Sequence, residues 1–305
     1  MQIQWYPGHM HKANKAFKEA LPQVDLIIEI LDARIPHSSE NPLLAELRGD
    51  KPCIKVLNKS DLADPDNIRL WQDSLDREQN VKTLALSQNH PERIQKLTDL
   101  CHKMVPHRSK VRLVKAIIAG IPNVGKSTLI NTLAGRTIAK TGNEPAVTKI
   151  QQRIPLDDGI VLFDTPGVLW PNIENRHSGY RLAATGAIKD TAMEYEDVAF
   201  YTIDYLLTTI PDAIGERYDL DVLPKTELEA LEAIGRKRGC LRGGGQVDLN
   251  KVSKLFLTEL RAGMLGPISL ETPIMVKAEL IEVEQKRQIK AEKKATRMRG
   301  KSKKR

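Results

Sequence analysis

Apolar runs and polar breaks alternate through the first half of the chain. Val24–Leu31 is an apolar run interrupted by Asp25 and Glu29, and it predicts a buried strand. Pro52–Leu57, Lys82–Leu86 and Lys115–Ala119 predict three more. Helical periodicity predicts helices over Asn41–Leu47, Pro65–Gln79 and Pro91–Met104, after a short amphipathic helix, Lys12–Leu21, ended by Pro22. Thr128–Leu133 reads as the opening of a helix behind the fourth strand. A polar segment, 137–149, then leads to Ile150–Pro155 and Ile160–Phe163, which flank Asp157-Asp158-Gly159 and predict a β-hairpin. Such alternation calls for an α/β fold with a mostly parallel sheet covered on both faces.

Beyond Trp170 the pattern becomes helical. Candidates lie near Tyr180–Ile188, Tyr195–Thr209, Pro211–Tyr218, Glu227–Arg236 and Leu249–Gly263, with no clear strand among them. A last helix, Ile274–Thr296, is expected to fray into the basic end. The expected division is an α/β domain over 1–175, a smaller α-helical domain over 176–285 and a basic disordered tail over 286–305.

Charge sharpens that division. The 305 residues carry a net +8, yet the last twenty hold 11 Lys or Arg against the single acid Glu292, a net of +10. The remainder is close to neutral. A block of this kind reads as an arm for polyanions, and the plain alternative is a solvated solubility tail. No apolar run reaches 18 residues, so no membrane-spanning helix is expected. The start of the chain lacks a signal or transit design. Cys53, Cys101 and Cys240 are scattered and without CxxC spacing, which argues against a disulfide framework or zinc site and fits a reducing cytoplasm.

The richest chemistry lies in Gly120-Ile121-Pro122-Asn123-Val124-Gly125-Lys126-Ser127, between a predicted strand and a predicted helix. That is the context of a phosphate-binding P-loop. Gly120 and Gly125 let the backbone curl so that its N–H groups face a polyphosphate, and the helix N-terminus adds positive potential. Lys126 reaches the β- and γ-phosphates, and the Ser127 hydroxyl ligates Mg²⁺. Asp164-Thr165-Pro166-Gly167 ends another strand, where Asp164 can hold Mg²⁺ through water and the Gly167 N–H can meet the γ-phosphate. Thr148 is placed to bring a second hydroxyl to the metal.

Asn58-Lys59-Ser60-Asp61 selects the base. Asp61 can accept both guanine N1–H and N2–H₂, a donor pair that adenine lacks. Asn58 can reach N7, and the Lys59 stem can pack over the base plane. Ser87-Gln88 lies where guanine O6 would meet a backbone N–H; Gln88 departs from the usual Ala, but the contact is made by backbone. Read alone, the N-K-x-D stretch is an Asx-type turn and D-T-P-G an ordinary one. With the P-loop they point to a GTP site formed by Asn58, Lys59, Asp61, Ser87, Gln88, Asn123, Val124, Gly125, Lys126, Ser127, Thr128, Thr148, Asp164 and Gly167, with Ser127, Thr148 and Asp164 toward the metal.

The order of these motifs is unusual, because N-K-x-D and the Ser loop precede the P-loop. A parallel sheet tolerates this if old termini were joined and new ones opened. The segment after Gly167 then leads directly into the helical region.

Together with Trp5-Tyr6-Pro7-Gly8-His9-Met10 and Asp32-Ala33-Arg34-Ile35-Pro36, these motifs resemble the circularly permuted bacterial GTPases of the ribosome biogenesis GTPase A family. The resemblance covers nearly the whole chain. It implies a circularly permuted P-loop GTPase domain, a helical domain, and binding to the immature large ribosomal subunit and its RNA, with GTP hydrolysed as the subunit matures. It also implies a cytoplasmic protein, expected to be a monomer. Val168 follows Gly167 where Ras-type enzymes begin the segment that supplies a water-orienting Gln, and an alkyl group cannot orient water. The family assigns that role to a histidine matching His9, whose alternative is a packed structural arm. Asn123 resembles the P-loop Asn that helps bind K⁺ in relatives lacking the Gln; a simple loop hydrogen bond is its alternative.

Overall fold

The computed structural model describes residues 15–106, 113–138, 152–167 and 169–302. His9, Thr148 and Val168 lie outside the described residues, as do the rest of the N-terminal hexapeptide and residues 107–112.

A six-stranded sheet has the order β3-β2-β1-β4-β6-β5. Its strands are β1 (Leu26–Asp32), β2 (Cys53–Asn58), β3 (Val81–Ala85), β4 (Val114–Gly120), β5 (Gln152–Pro155) and β6 (Ile160–Asp164). All neighbours are parallel except β5, which pairs antiparallel with β6. Every residue of β1 and β2 is buried, as a central parallel strand covered on both faces requires. From β1 the chain builds outward through β2 and β3, then crosses back to place β4 on the other side. The strand order therefore reverses between β1 and β4, and the crevice beyond their carboxyl ends is where open α/β sheets bind ligands.

Among the described residues, helices accompany the sheet as α1 (residues 15–20), α2 (Pro36–Ser39), α3 (Pro42–Arg48), α4 (Pro65–Leu75), α5 (Gln95–Met104) and α6 (Lys126–Leu133). After the sheet come α7 (Arg176–Ala184), α8 (Tyr195–Thr209), α9 (Pro211–Tyr218), α10 (Glu227–Lys237), α11 (Leu249–Arg261) and α12 (Pro273–Ser302). One continuous apolar core joins sheet residues such as Ile28 and Ile118 to Leu182, Ile203 and Phe256 of these later helices.

The structure moves several expected boundaries. The helix expected over Tyr180–Ile188 is Arg176–Ala184, because the Asn175 side chain caps it by accepting from the His177 N–H, and Gly186 at φ 83° ends it. Helix α4 stops at Leu75 rather than Gln79; the Asp76 carboxylate accepts from the Thr83 N–H and turns the chain into β3. The helix expected from Pro91 opens as a 3₁₀ turn, Pro91–Arg93, before α5. Helix α12 continues through Ser302, so the backbone of most of the segment expected as a disordered tail is helical. Its Lys, Arg, Gln, Glu and Ala residues are strong helix formers.

Two buried charges tie this later region together and to helix α2. Arg181 on α7 meets Glu271 at 3.2 Å and Glu279 of α12 at 2.5 Å. Glu271 also accepts the Ser38 N–H from α2 at 2.9 Å.

Candidate nucleotide site

Strand β4 ends at Gly120, where a Cβ would lie 2.6 Å from the Ile30 carbonyl, so only glycine lets β4 leave the sheet so close to β1. The loop turns through Asn123 at φ 61° and Gly125 at φ 89°, and α6 begins at Lys126. A side chain at Gly125 would run into the Asn58 amide nitrogen and, further out, meet the Gln88 carboxamide at 3.8 Å. The N-K-x-D turn and the Ser87-Gln88 loop thus touch the P-loop.

Hydrogen bonds make that contact specific. Asn58 Nδ2 donates to the Val124 carbonyl at 2.7 Å. Lys59, itself left-handed at φ 58°, donates from Nζ to the Asn123 carbonyl at 2.6 Å and to Asp32 Oδ2 at 3.0 Å. Asp32, at the end of β1, also holds Arg34 through two side-chain bonds of 2.9 and 2.7 Å. Burial would raise the Asp32 carboxyl, but Arg34 and Lys59 outweigh it and hold it well below the usual carboxylate range. Burial also pushes the Lys59 ammonium down, against the pull of Asp32. In the sequence, Asp32 and Arg34 stand out only through the family resemblance. Their local signal is a carboxylate at the end of an apolar strand, two residues before a cation.

The turn Ser60–Leu62 carries Asp61 at the surface. The Ser60 N–H donates to the Leu86 carbonyl at 3.0 Å, which joins this turn to the loop that begins at Ser87. Ser87 is buried and its hydroxyl accepts the Asn89 N–H, while Gln88 is exposed. Behind the turn, the Ile268 N–H donates to the Leu62 carbonyl at 2.9 Å, so the later region also braces the base side.

Lys126 and Asp164 form a buried ion pair at the phosphate end. Burial pushes the Lys126 ammonium down and the Asp164 carboxyl up, each opposed by the other's charge. Asp164 Oδ1 takes the ammonium. Oδ2 is buried and has no hydrogen-bond partner among the described residues. A carboxylate oxygen in that condition, at the end of the strand beside the P-loop strand, fits a hydrated divalent cation. The Thr165 hydroxyl donates to the Ile118 carbonyl at 2.8 Å, and a Cβ on Gly167 would lie 3.1 Å from the Pro122 nitrogen, so the D-T-P-G turn abuts the P-loop. Ser127 and Thr128 open α6 and are half-buried. The Asn123 side chain donates to the Gly186 carbonyl at 2.7 Å, linking the P-loop to the end of α7.

A P-loop at the sheet's switch point, a D-T-P-G strand beside it, and an N-K-x-D turn bonded to it from earlier in the chain define a circularly permuted P-loop GTPase. Residues 115–234 match the family described as 50S ribosome-binding GTPase, and residues 41–174 match RsgA GTPase. Ribosome biogenesis GTPase A of Priestia megaterium is 42% identical over 282 residues, 90% of this chain and 98% of that one. The Bacillus cereus protein of the same name is 43% identical over 281 residues, 90% and 95% of the two chains. The structure of GNP-bound YlqF from T. maritima superposes with a TM-score of 0.64 at 26% identity, covering 86% of this chain and 98% of that one. The chain belongs to the ribosome biogenesis GTPase A family. No described helix is long and apolar enough to cross a membrane.

Proposed function

We propose that this chain is a Mg²⁺-dependent GTPase that binds the immature large ribosomal subunit and its RNA during late assembly, converting GTP to GDP and phosphate. The observation that carries the reading is the bonding of Asn58 and Lys59 to the P-loop carbonyls of Val124 and Asn123, which joins base recognition to phosphate binding. The loop N–H groups and the start of α6 would cradle the phosphates. Lys126 would leave Asp164 for the β- and γ-phosphates, freeing that carboxylate to act with Ser127 and Thr148 toward the metal. Bound Mg²⁺ supplies charge neutralisation on the phosphates. Asp61 would accept from the guanine edge, with Ser87 and Gln88 lending the loop that faces O6. Gly167 would sense the γ-phosphate, and His9 would orient the attacking water.

Single-turnover GTP hydrolysis, with and without immature large-subunit particles, tests the reading. Particles should accelerate turnover, and His9→Ala should lower the accelerated rate about 10²–10⁴-fold with GTP affinity kept. The same assay with K⁺ replaced by Na⁺ tests Asn123 as part of a monovalent site. Unaccelerated turnover with GTP-dependent co-sedimentation would instead favour a binding switch with little catalysis.

A further inference from the structure

Asp61 carries the base choice in the reading above, yet it stands on a short surface turn. A carboxylate there rotates freely unless something fixes its plane, and guanine requires both oxygens to face one edge of the base. The structure supplies a fixing group that the motifs do not include. Asn89 Nδ2 donates to Asp61 Oδ2 at 2.9 Å. The Asn89 backbone is held in turn, because its N–H donates to the buried Ser87 hydroxyl at 3.0 Å. A further bond, His90 N–H to the Ser87 carbonyl at 3.2 Å, closes the same loop. The two loops are also joined by backbone through Ser60 and Leu86. Asn89 therefore reaches Asp61 from a loop of fixed geometry.

We infer that Asn89 is a positioning residue for guanine selectivity: its amide orients the Asp61 carboxylate and leaves lone pairs for the base. This rests on the guanine reading of Asp61. A carboxylate has about four lone-pair positions, and one donated bond leaves enough for N1–H and N2–H₂. Fixing the carboxylate before the base arrives lowers the ordering cost of binding. The opposite possibility gives the opposite sign. If Asn89 merely fills the place of the base, guanine must displace it, and removing it strengthens binding.

The test is a double-mutant cycle on the full chain, read by titrating guanosine, inosine and adenosine diphosphates. Inosine lacks the exocyclic amine, so the guanosine-to-inosine ratio reports the Asp61 contact itself. Asn89→Ala should weaken guanosine diphosphate about three- to tenfold, as expected for one hydrogen bond. It should also lower the guanosine-to-inosine ratio and leave the weak adenosine binding alone. In an Asp61→Ala background the same change should have no further effect. Asn89→Asp, equal in size but facing Asp61 with like charge, should lose more than Asn89→Ala. Both sites are exposed, and an unchanged thermal midpoint would show that the fold is kept. Tighter or unchanged guanosine binding in Asn89→Ala overturns the inference. So does an equal loss for guanosine and inosine, or a loss that persists without Asp61. If Asp61→Ala itself leaves guanosine affinity intact, the guanine reading fails and the inference with it.

Discussion

Lys59 Nζ donates to the Asn123 carbonyl at 2.6 Å, and both residues stand in the left-handed region, at φ 58° and 61°. Two non-glycine residues in sparsely populated conformations are thus bonded to each other, one in the N-K-x-D turn and one in the P-loop. Such conformations each cost on the order of 1–3 kcal/mol and persist when their surroundings hold them.

Lys59→Met should show what that bond does. The stem remains, but the Asn123 carbonyl and Asp32 lose the ammonium. Stability should fall by about 1.5–3 kcal/mol, the range for hydrogen bonds to charged groups. Nucleotide affinity should fall as well. Denaturant unfolding beside nucleotide titration checks both; weakened affinity with full stability would confine Lys59 to the base plane.

A second prediction concerns pH. Burial, then repulsion from Glu40, pushes the Glu29 carboxyl up to about 8, against the opposing Lys55 and the Asn41 N–H. The unfolded chain releases that proton near 4.5, so between those values the folded state holds the extra proton. The contribution of Glu29 to stability is therefore present at low pH and is lost as pH rises through about 8. Thermal midpoints should fall as pH rises from about 4.5 to about 8 for the wild-type chain and level off above that, and Glu29→Gln should flatten that fall. An equal slope in the variant would reject Glu29 as its source.

Arg181 should be costly to remove. It lies buried between Glu271 and Glu279, and Arg181→Ala would take the counter-charge from both carboxylates, leaving Glu271 only the Ser38 donors and Glu279 the Asn175 amide. Breaking a buried pair in this way costs about 3–5 kcal/mol. A loss below about 1 kcal/mol in denaturant unfolding, the range of surface pairs, would contradict the burial of this ion pair.

The basic end should act through its charge. Deleting residues 286–305 removes 11 cationic side chains and should weaken RNA association and flatten its salt dependence. Nucleotide affinity should not change, because the deletion breaks an exposed ion pair, Arg287 with Glu174, and leaves the P-loop and the base-reading turn intact. Equal particle binding by both chains at every salt concentration would leave the segment a solubility device.

The sheet was legible because the β1, β2 and β4 runs are largely apolar, and the motifs sit at strand ends where chemistry collects. The α/β sheet, the later helices and the permuted order follow the pattern of the sequence. What escaped was long-range polar pairing. Nothing local marks Asn89 as a partner of Asp61, or Arg181 as a partner of Glu271, since each pair meets only once the chain has folded. The end of α7 was misplaced for a related reason: apolar residues run on through Ile188, but the Asn175 cap and the Gly186 turn decide the boundary. A helix through Thr296 was expected from charge and helix propensity, but the same propensity carries it on through Ser302, past where it was expected to fray.

The central claim is that the Asn58–Asp61 turn and the P-loop, far apart in the chain, form one guanine-nucleotide site. Equilibrium binding of guanosine, xanthosine and adenosine diphosphates to Asp61→Asn tests it most directly. The account predicts that guanosine binding weakens by about 1–3 kcal/mol, because the acceptor for N1–H and N2–H₂ is removed. Xanthosine should gain relative to guanosine, with adenosine still weak. Guanosine affinity equal to that of the wild-type chain would contradict the account.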